Sequence, residues 1–293
     1  MSVVLRPDRR APARPRSSPE TVKQLARRLT PRDRHIMRLV WQHKVFTTDQ
    51  LTALGWNSYN TAKQRLATLH RLRALDRLRP WKPHGGAPWH YVLDQPGAEI
   101  LAAENGQSLR EFGYRRDRAL AAGYSATLDH TLGTNQFFVD LYTHTRHHDD
   151  THLDWWTETT CTHHYGDIVR PDAAGRWRVA DRRVDFFLEY DTGTERLRRL
   201  TAKLDAYQEL ADLTTTSAIV LFYLPSQRRE AHLRHALGPR PAVLVATAVH
   251  GAHPARHVWV RVDDPHLIPR RLVDLSPRTT YHQPALLEGA DDG

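Results

Sequence analysis

Apolar residues recur every three or four positions in the first third of the chain, which is the period of a helix that buries one face. The spacing predicts three helices, over residues 31–43, 48–54 and 58–72. Thr30 suits the cap of the first helix, and Pro31 suits its first position. Three helices of this length with short connections are typical of a helix-turn-helix arrangement.

Two strand-like runs follow, over residues 75–79 and 89–93, on either side of a tip rich in glycine and proline. A further helix is predicted over about residues 96–103. Three helices followed by a two-stranded wing predict a winged helix-turn-helix.

The second part of the chain has segments of helical and alternating period in the order helix, three strands, helix, strand. The predicted segments are helix 128–147, strand 154–159, a strand ending near 171–172, strand 182–191, helix 195–213, strand 218–224, helix 229–237 and strand 243–248. This αβββαβ order predicts a mixed sheet flanked by helices, so the expected fold class is α+β or α/β.

Changes in composition divide the chain into four predicted segments. Residues 1–20, with prolines among arginines, are expected to be a disordered basic tail. Residues 21–120 are the predicted winged helix, residues 121–262 the mixed-sheet domain, and residues 263–293 a loose C-terminal tail. The N-terminal tail is either a basic arm that contacts phosphates or a solvated segment without a role.

Charge is distributed unevenly along the 293 residues, whose net charge is +9. Residues 1–120 contain 23 Lys and Arg against 10 Asp and Glu, a net of +13, whereas residues 121–293 contain 19 against 23, a net of −4. A coding bias towards arginine would affect both parts equally. The asymmetry therefore indicates a polyanionic partner for the first part, and double-stranded DNA is the expected one.

The cysteine content and the apolar runs predict the cellular location. The single cysteine, Cys161, excludes an intrachain disulfide and fits a reducing cytosol. No apolar run approaches the roughly 18 residues that cross a bilayer, so a cytoplasmic protein without a membrane partner is expected. Both a monomer and an oligomer stay open.

Polar and cationic side chains on the third helix and the wing form a candidate DNA-binding surface. Asn and Gln pair with adenine and Arg with guanine, so the helix has the chemistry for reading bases. The candidates are Asn57, Asn60, Thr61, Lys63, Gln64 and Arg65 for base edges, Arg71 and Arg73 for phosphates, and Arg79, Trp81 and Lys82 for backbone or minor-groove contact. The alternative is a winged helix that contacts another protein.

A strand in the second part places three carboxylates, Asp185, Glu189 and Asp191, on one face. Such carboxylates repel one another unless a cation lies among them, and Mg²⁺ or Mn²⁺ takes oxygen ligands. Asp172 is expected to join Glu189 and Asp185 as a metal ligand, and Lys203 to stabilise charge on the phosphoryl group. The alternative is an ordinary surface of salt bridges.

Several stretches carry a resemblance to a known family. They are residues 29–33 with the helices that follow, 130–135, 169–172, and 187–195 leading to Lys203. In these stretches the chain resembles the actinobacterial replication-relaxation proteins of plasmids and integrative elements. That family resembles the PD-(D/E)xK nucleases, which implies a restriction-endonuclease-like mixed-sheet domain.

The resemblance also implies catalytic residues. Asp172 and Glu189 correspond to the two acids of the nuclease motif, and Asp191 replaces the usual lysine. Lys203 is then a relocated substitute for that lysine. Tyr207 is a further candidate, as the nucleophile of a covalent nicking reaction.

Two hypotheses follow for the function. The first is a DNA-binding, Mg²⁺- or Mn²⁺-dependent nickase or endonuclease, resembling a relaxase, of plasmid or mobile-element replication or transfer. The second is a replication accessory protein or transcriptional regulator with an inactive nuclease-like domain.

Overall fold

The computed structural model describes residues 17–79, 87–214, 218–238 and 243–275. The chain divides into two compact units, which we call unit 1 (residues 1–135) and unit 2 (residues 136–293). The boundary lies 15 residues later than the sequence predicts, and Asn135, the last residue of unit 1, is bonded to other residues of that unit. Its side-chain amide donates to the carbonyls of His43 at 3.2 Å and Val45 at 2.8 Å.

Unit 1 contains helices around a small antiparallel sheet whose strand order is β1-β3-β2. Its elements are α1 (Pro19–Ala26), α2 (Pro31–Gln42), β1 (Phe46–Thr47), α3 (Thr48–Gly55), α4 (Tyr59–Arg71), β2 (Leu75–Leu78), β3 (His90–Leu93), α5 (Gln95–Glu104), α6 (Arg116–Ala122) and the start of α7 (Leu128–Thr145).

Capping residues fix two of the predicted helix starts. At the start of α2, Thr30 Oγ1 accepts from the Asp33 amide at 3.2 Å, and Asp33 Oδ2 accepts from the Thr30 amide at 2.7 Å. Thr47 and Gln50 form the same reciprocal pair at the start of α3. Because a capping box satisfies amides that the helix itself leaves unpaired, both starts lie where the sequence predicts them.

Unit 2 contains a six-stranded mixed sheet in the order β4-β5-β6-β7-β8-β9. After α7 its elements are β4 (Thr151–Thr157), α8 (Glu158–Tyr165), β5 (Ala173–Val179), β6 (Arg182–Tyr190), α9 (Leu197–Thr214), β7 (Ile219–Leu224), α10 (Gln227–Leu237), β8 (Val245–Val249), β9 (Val260–Arg261) and the short 3₁₀ helix η1 (Leu272–Asp274). β6, β7 and β8 are parallel to one another, and the remaining neighbours are antiparallel. The expected mixed α+β class is confirmed.

Both faces of the unit 2 sheet are covered by apolar cores. Phe186 and Leu221 belong to the core on the α7 side, whereas Phe187 and Phe222 belong to the core on the α9 side. Alternating residues of β6 and β7 thus face opposite cores. This double coverage explains the continuously apolar β7.

Two parts of unit 2 differ from the sequence expectation. Residues 158–165 form α8, which Thr157 caps by accepting from the Thr160 amide at 3.2 Å. The next strand, β5, begins at Ala173, so Asp172 precedes a strand instead of ending one. Residues 263–275 are not loose. Trp259 pairs with Arg270, and Leu272 and Leu275 are fully buried in the core on the α7 side.

Candidate functional site

The exposed face of α4 carries most of the predicted base-reading residues. Ala62, Leu66 and Leu69 are fully buried and fix the inward face of the helix. The predicted residues on or next to α4 that are exposed are Asn57, just before the helix, and Asn60, Thr61, Lys63, Gln64 and Arg71. α4 contains no Asp or Glu. The structure therefore brings together a polar, cationic helical surface.

Arg65 lies apart from that surface. Its Nε donates to Asp33 Oδ1 at 2.9 Å, its Nη2 pairs with Asp33 Oδ2, and Nη2 also donates to the Arg28 carbonyl at 2.9 Å. Burial alone would raise the pKa of Asp33, which is 1 % exposed, but hydrogen bonds from Arg65 and Thr30 hold it below its usual value. Arg65 thus joins α4 to the capped end of α2, and its guanidinium is engaged within unit 1. The base contact expected from the sequence stays a prediction.

Arg73 is also engaged within unit 1. Its backbone φ is 65°. The Arg73 amide donates to the His70 carbonyl and the Ala74 amide to the Leu69 carbonyl, and these two bonds end α4. Its Nε lies 3.3 Å from Oδ2 of Asp94, which is fully buried. Arg73 is thus paired with Asp94, and the phosphate contact expected from the sequence stays a prediction.

The strands of the predicted wing carry stacked cations. The guanidinium of Arg77 lies 4.2 Å from the ring centroid of Trp89, and that of Arg79 lies 5.4 Å from it. Arg79 is exposed and donates to the Ala87 carbonyl at 2.6 Å. Trp81 and Lys82, the other predicted wing residues, lie outside the described residues.

In unit 2, Glu189 is the centre of a buried polar cluster. It is 1 % exposed; Lys203 Nζ forms an ion pair with its Oε2, and the Tyr207 hydroxyl donates to its Oε1 at 2.6 Å. Asp172 Oδ2 accepts from the Tyr190 amide at 2.8 Å, which holds Asp172 beside Glu189. Burial raises the pKa of Glu189 to about 7, and the negative charge of Asp172 is the second cause of this increase.

The other two predicted acids lie in separate ion pairs. Asp185 accepts from Arg176 Nε at 2.8 Å, and it lies four positions before Glu189 in the same strand, a distance of about 13 Å along the backbone. Asp191 is buried; its Oδ1 accepts from Arg229 Nη2 at 3.2 Å and from the Gly193 amide at 2.8 Å. Asp191 thereby holds the turn that leads into α9.

Tyr207 and Cys161 are buried beside this cluster. Tyr207 is 2 % exposed, and burial and the charge of Glu189 raise its pKa well above the usual value. A nucleophile must be ionised by a base and must reach the phosphodiester, so the buried Tyr207 does not suit that role. Cys161 is 1 % exposed, and burial raises the pKa of its thiol to about 12.

A family model described as replication-relaxation matches residues 37–219, more than half of the chain. The chain belongs to the replication-relaxation family. The matched residues cover most of unit 1 and, in unit 2, the stretch that contains Asp172, Glu189 and Lys203. No curated protein and no solved structure matches the chain. Family membership associates the protein with replication of mobile elements.

The described side chains of this replication-relaxation protein do not form a preassembled site for a divalent metal ion. Among the described residues, no group of three or more His, Cys, Asp or Glu side chains is placed to hold a metal. Both oxygens of Glu189 are already engaged, and one partner is the Lys203 ammonium, which itself supplies a positive charge.

None of the helices in the described ranges is long and apolar enough to cross a membrane.

Proposed function

We propose that this replication-relaxation protein binds duplex DNA of a plasmid or mobile element through unit 1 and acts there as a replication accessory protein. The exposed face of α4 carries the proposal, because it presents amides, a hydroxyl and cations and lacks acids. In this proposal α2, α3 and α4 form a winged helix-turn-helix with β2 and β3 as its wing, and α4 enters the major groove.

The cations around α4 support a phosphate-binding role. Lys63, Arg71 and Arg79 are exposed, and residues 1–120 carry a net charge of +13. Contacts with phosphates release counterions, so affinity depends strongly on salt. In this proposal unit 2 catalyses no reaction, and the ammonium of Lys203 balances the charge of Glu189.

The first test is salt-dependent binding of the full chain to duplex DNA. We expect the dissociation constant to rise steeply with salt concentration, and Lys63→Ala to weaken binding to all sequences and to reduce the salt slope by about 1. Lys23→Ala, which removes an exposed lysine from α1, is the matched control and should change the slope less. Absent or salt-independent binding by the wild-type chain would contradict the proposal.

A second candidate function is metal-dependent DNA cleavage. The convergence of Asp172, Glu189 and Lys203 favours it, because these are the residues that the nuclease resemblance implies. Its difficulty is that Lys203 and Tyr207 occupy both oxygens of Glu189.

Calorimetric titration with Mn²⁺, beside a nicking assay on supercoiled plasmid, separates the two functions. For an accessory protein we expect no saturable heat and no nicking from the wild-type chain. For a nuclease both signals appear, and Glu189→Gln abolishes them while leaving DNA binding intact. Glu209→Gln, at an exposed position of α9, is the control and should leave both signals as in the wild type.

A further inference from the structure

The position of each residue around α4 determines which side chains reach the floor of a groove. Successive helix residues are rotated by about 100°, so Asn60 and Gln64 lie roughly 160° from the buried Ala62. Lys63 and Thr61 lie roughly 100° from Ala62, on the two flanks. The centre of the exposed face in the N-terminal half of α4 is therefore a pair of amides, Asn60 and Gln64, one turn apart.

The arginines near this centre are not available to read guanine. Arg65 is held by Asp33 and Arg73 by Asp94. Arg71 is exposed, but it lies in the last turn of α4, where its Nη2 donates to Thr68 Oγ1 at 3.1 Å. Base edges are read mainly by the N-terminal residues of a recognition helix, so Arg71 suits a phosphate.

The chemistry of an amide favours adenine. In the major groove adenine presents an acceptor at N7 and a donor at N6, which match the NH₂ and the carbonyl of Asn or Gln. Guanine presents two acceptors, N7 and O6, and leaves the amide carbonyl without a donor. The half-buried Ala67, one turn beyond Lys63, offers a methyl group of the kind that contacts thymine.

We infer that α4 reads A·T base pairs, with Asn60 and Gln64 as the residues that determine specificity. This inference rests on the proposed DNA binding and specifies its target. Loss of one bidentate amide–adenine contact corresponds to about a 5- to 150-fold loss of discrimination at that base pair. Lys63, Thr61 and Arg71 then position the helix on the phosphates without selecting the sequence.

Selection of the full chain on duplexes with a randomised centre tests the inference. We expect enrichment of A·T pairs at two or more adjacent positions. Asn60→Ala and Gln64→Ala should each remove the preference at a different base pair while retaining salt-dependent binding. Gln107→Ala, which removes an exposed amide outside α4, is the matched control and should keep the wild-type preference.

Replacing adenine by 7-deazaadenine in the selected duplex identifies the contact atom. Loss of N7 should weaken wild-type binding and should have little further effect on the amide variant that reads that position. Salt-dependent binding without an A·T preference, or a preference that survives both substitutions, overturns the inference but leaves the proposed DNA binding intact. Absence of DNA binding overturns both.

Discussion

Replacing Arg65 with alanine is expected to lower the free energy of unfolding by about 3 kcal/mol. The substitution leaves the Asp33 carboxylate, which is 1 % exposed, without its cation and removes the link between α4 and α2. An unpaired buried charge costs more than a lost surface contact, because water cannot replace the partner. Urea denaturation of the full chain, followed by tryptophan fluorescence, measures the change.

The matched control is Arg71→Ala in the same helix. Arg71 is exposed and its described contact is with Thr68, so we expect a change within about 0.5 kcal/mol. If Arg65→Ala were as stable as the Arg71 variant and lost DNA affinity, Arg65 would be a DNA contact after all. The ion pair with Asp33 would then be unimportant for stability.

Replacing Lys203 with methionine is expected to cost about 3 kcal/mol above pH 7, and less near pH 5. Methionine retains the apolar stem but leaves Glu189 with Tyr207 as its remaining described hydrogen-bond partner. Above pH 7 the carboxyl group must then either stay ionised without its cation or hold a proton at a cost in free energy. At lower pH the carboxyl group takes up a proton, which removes the unpaired charge. Arg199→Met, which removes an exposed cation one turn earlier in α9, should change stability by less than about 0.5 kcal/mol at either pH.

The raised pKa of Glu189 sets the direction of this pH dependence. Between its ordinary value of 4.5 and about 7, the unfolded chain has released the proton while the folded protein retains it. The contribution of Glu189 to stability therefore falls as pH rises through this range. Over the same range Lys203 stays charged: burial alone would lower its pKa, but the charges of Glu189 and Asp172 raise it.

Asp172→Asn separates electrostatics from packing in this cluster. Removing the charge of Asp172 should lower the pKa of Glu189, whereas Lys203→Met should raise it further. Titration of ¹³C-labelled glutamate side chains by NMR reports both shifts. Equal pKa values of Glu189 in the wild type and both variants would contradict the described cluster.

Local signals in the sequence were sufficient for much of unit 1 and for β6. Capping residues and helical spacing placed α2 and α3 almost to the residue. Alternation in β6 correctly assigned Glu189 to the opposite face from Leu188. These features depend on neighbours within a few positions, which a single sequence shows directly.

The sequence did not reveal features that depend on distant partners or weak periodicity. Arg65 and Asp33 are 32 positions apart, and an arginine in an ion pair cannot be distinguished by sequence from one that faces DNA. α8 escaped prediction because Cys161 is its one fully buried residue in the described structure, so it lacks an apolar stripe. Tertiary packing, rather than local pattern, determines both.

The buried Cys161 gives the protein a natural chemical reporter. It is the single cysteine of the chain, and its side chain belongs to the core on the α9 side, whose buried residues also include Val169 and Phe187. A thiol reagent can reach it only when that core opens, so the rate of modification measures the free energy of local opening in unit 2. The wild-type chain can therefore report on unit 2, before and after DNA is added, without an introduced label.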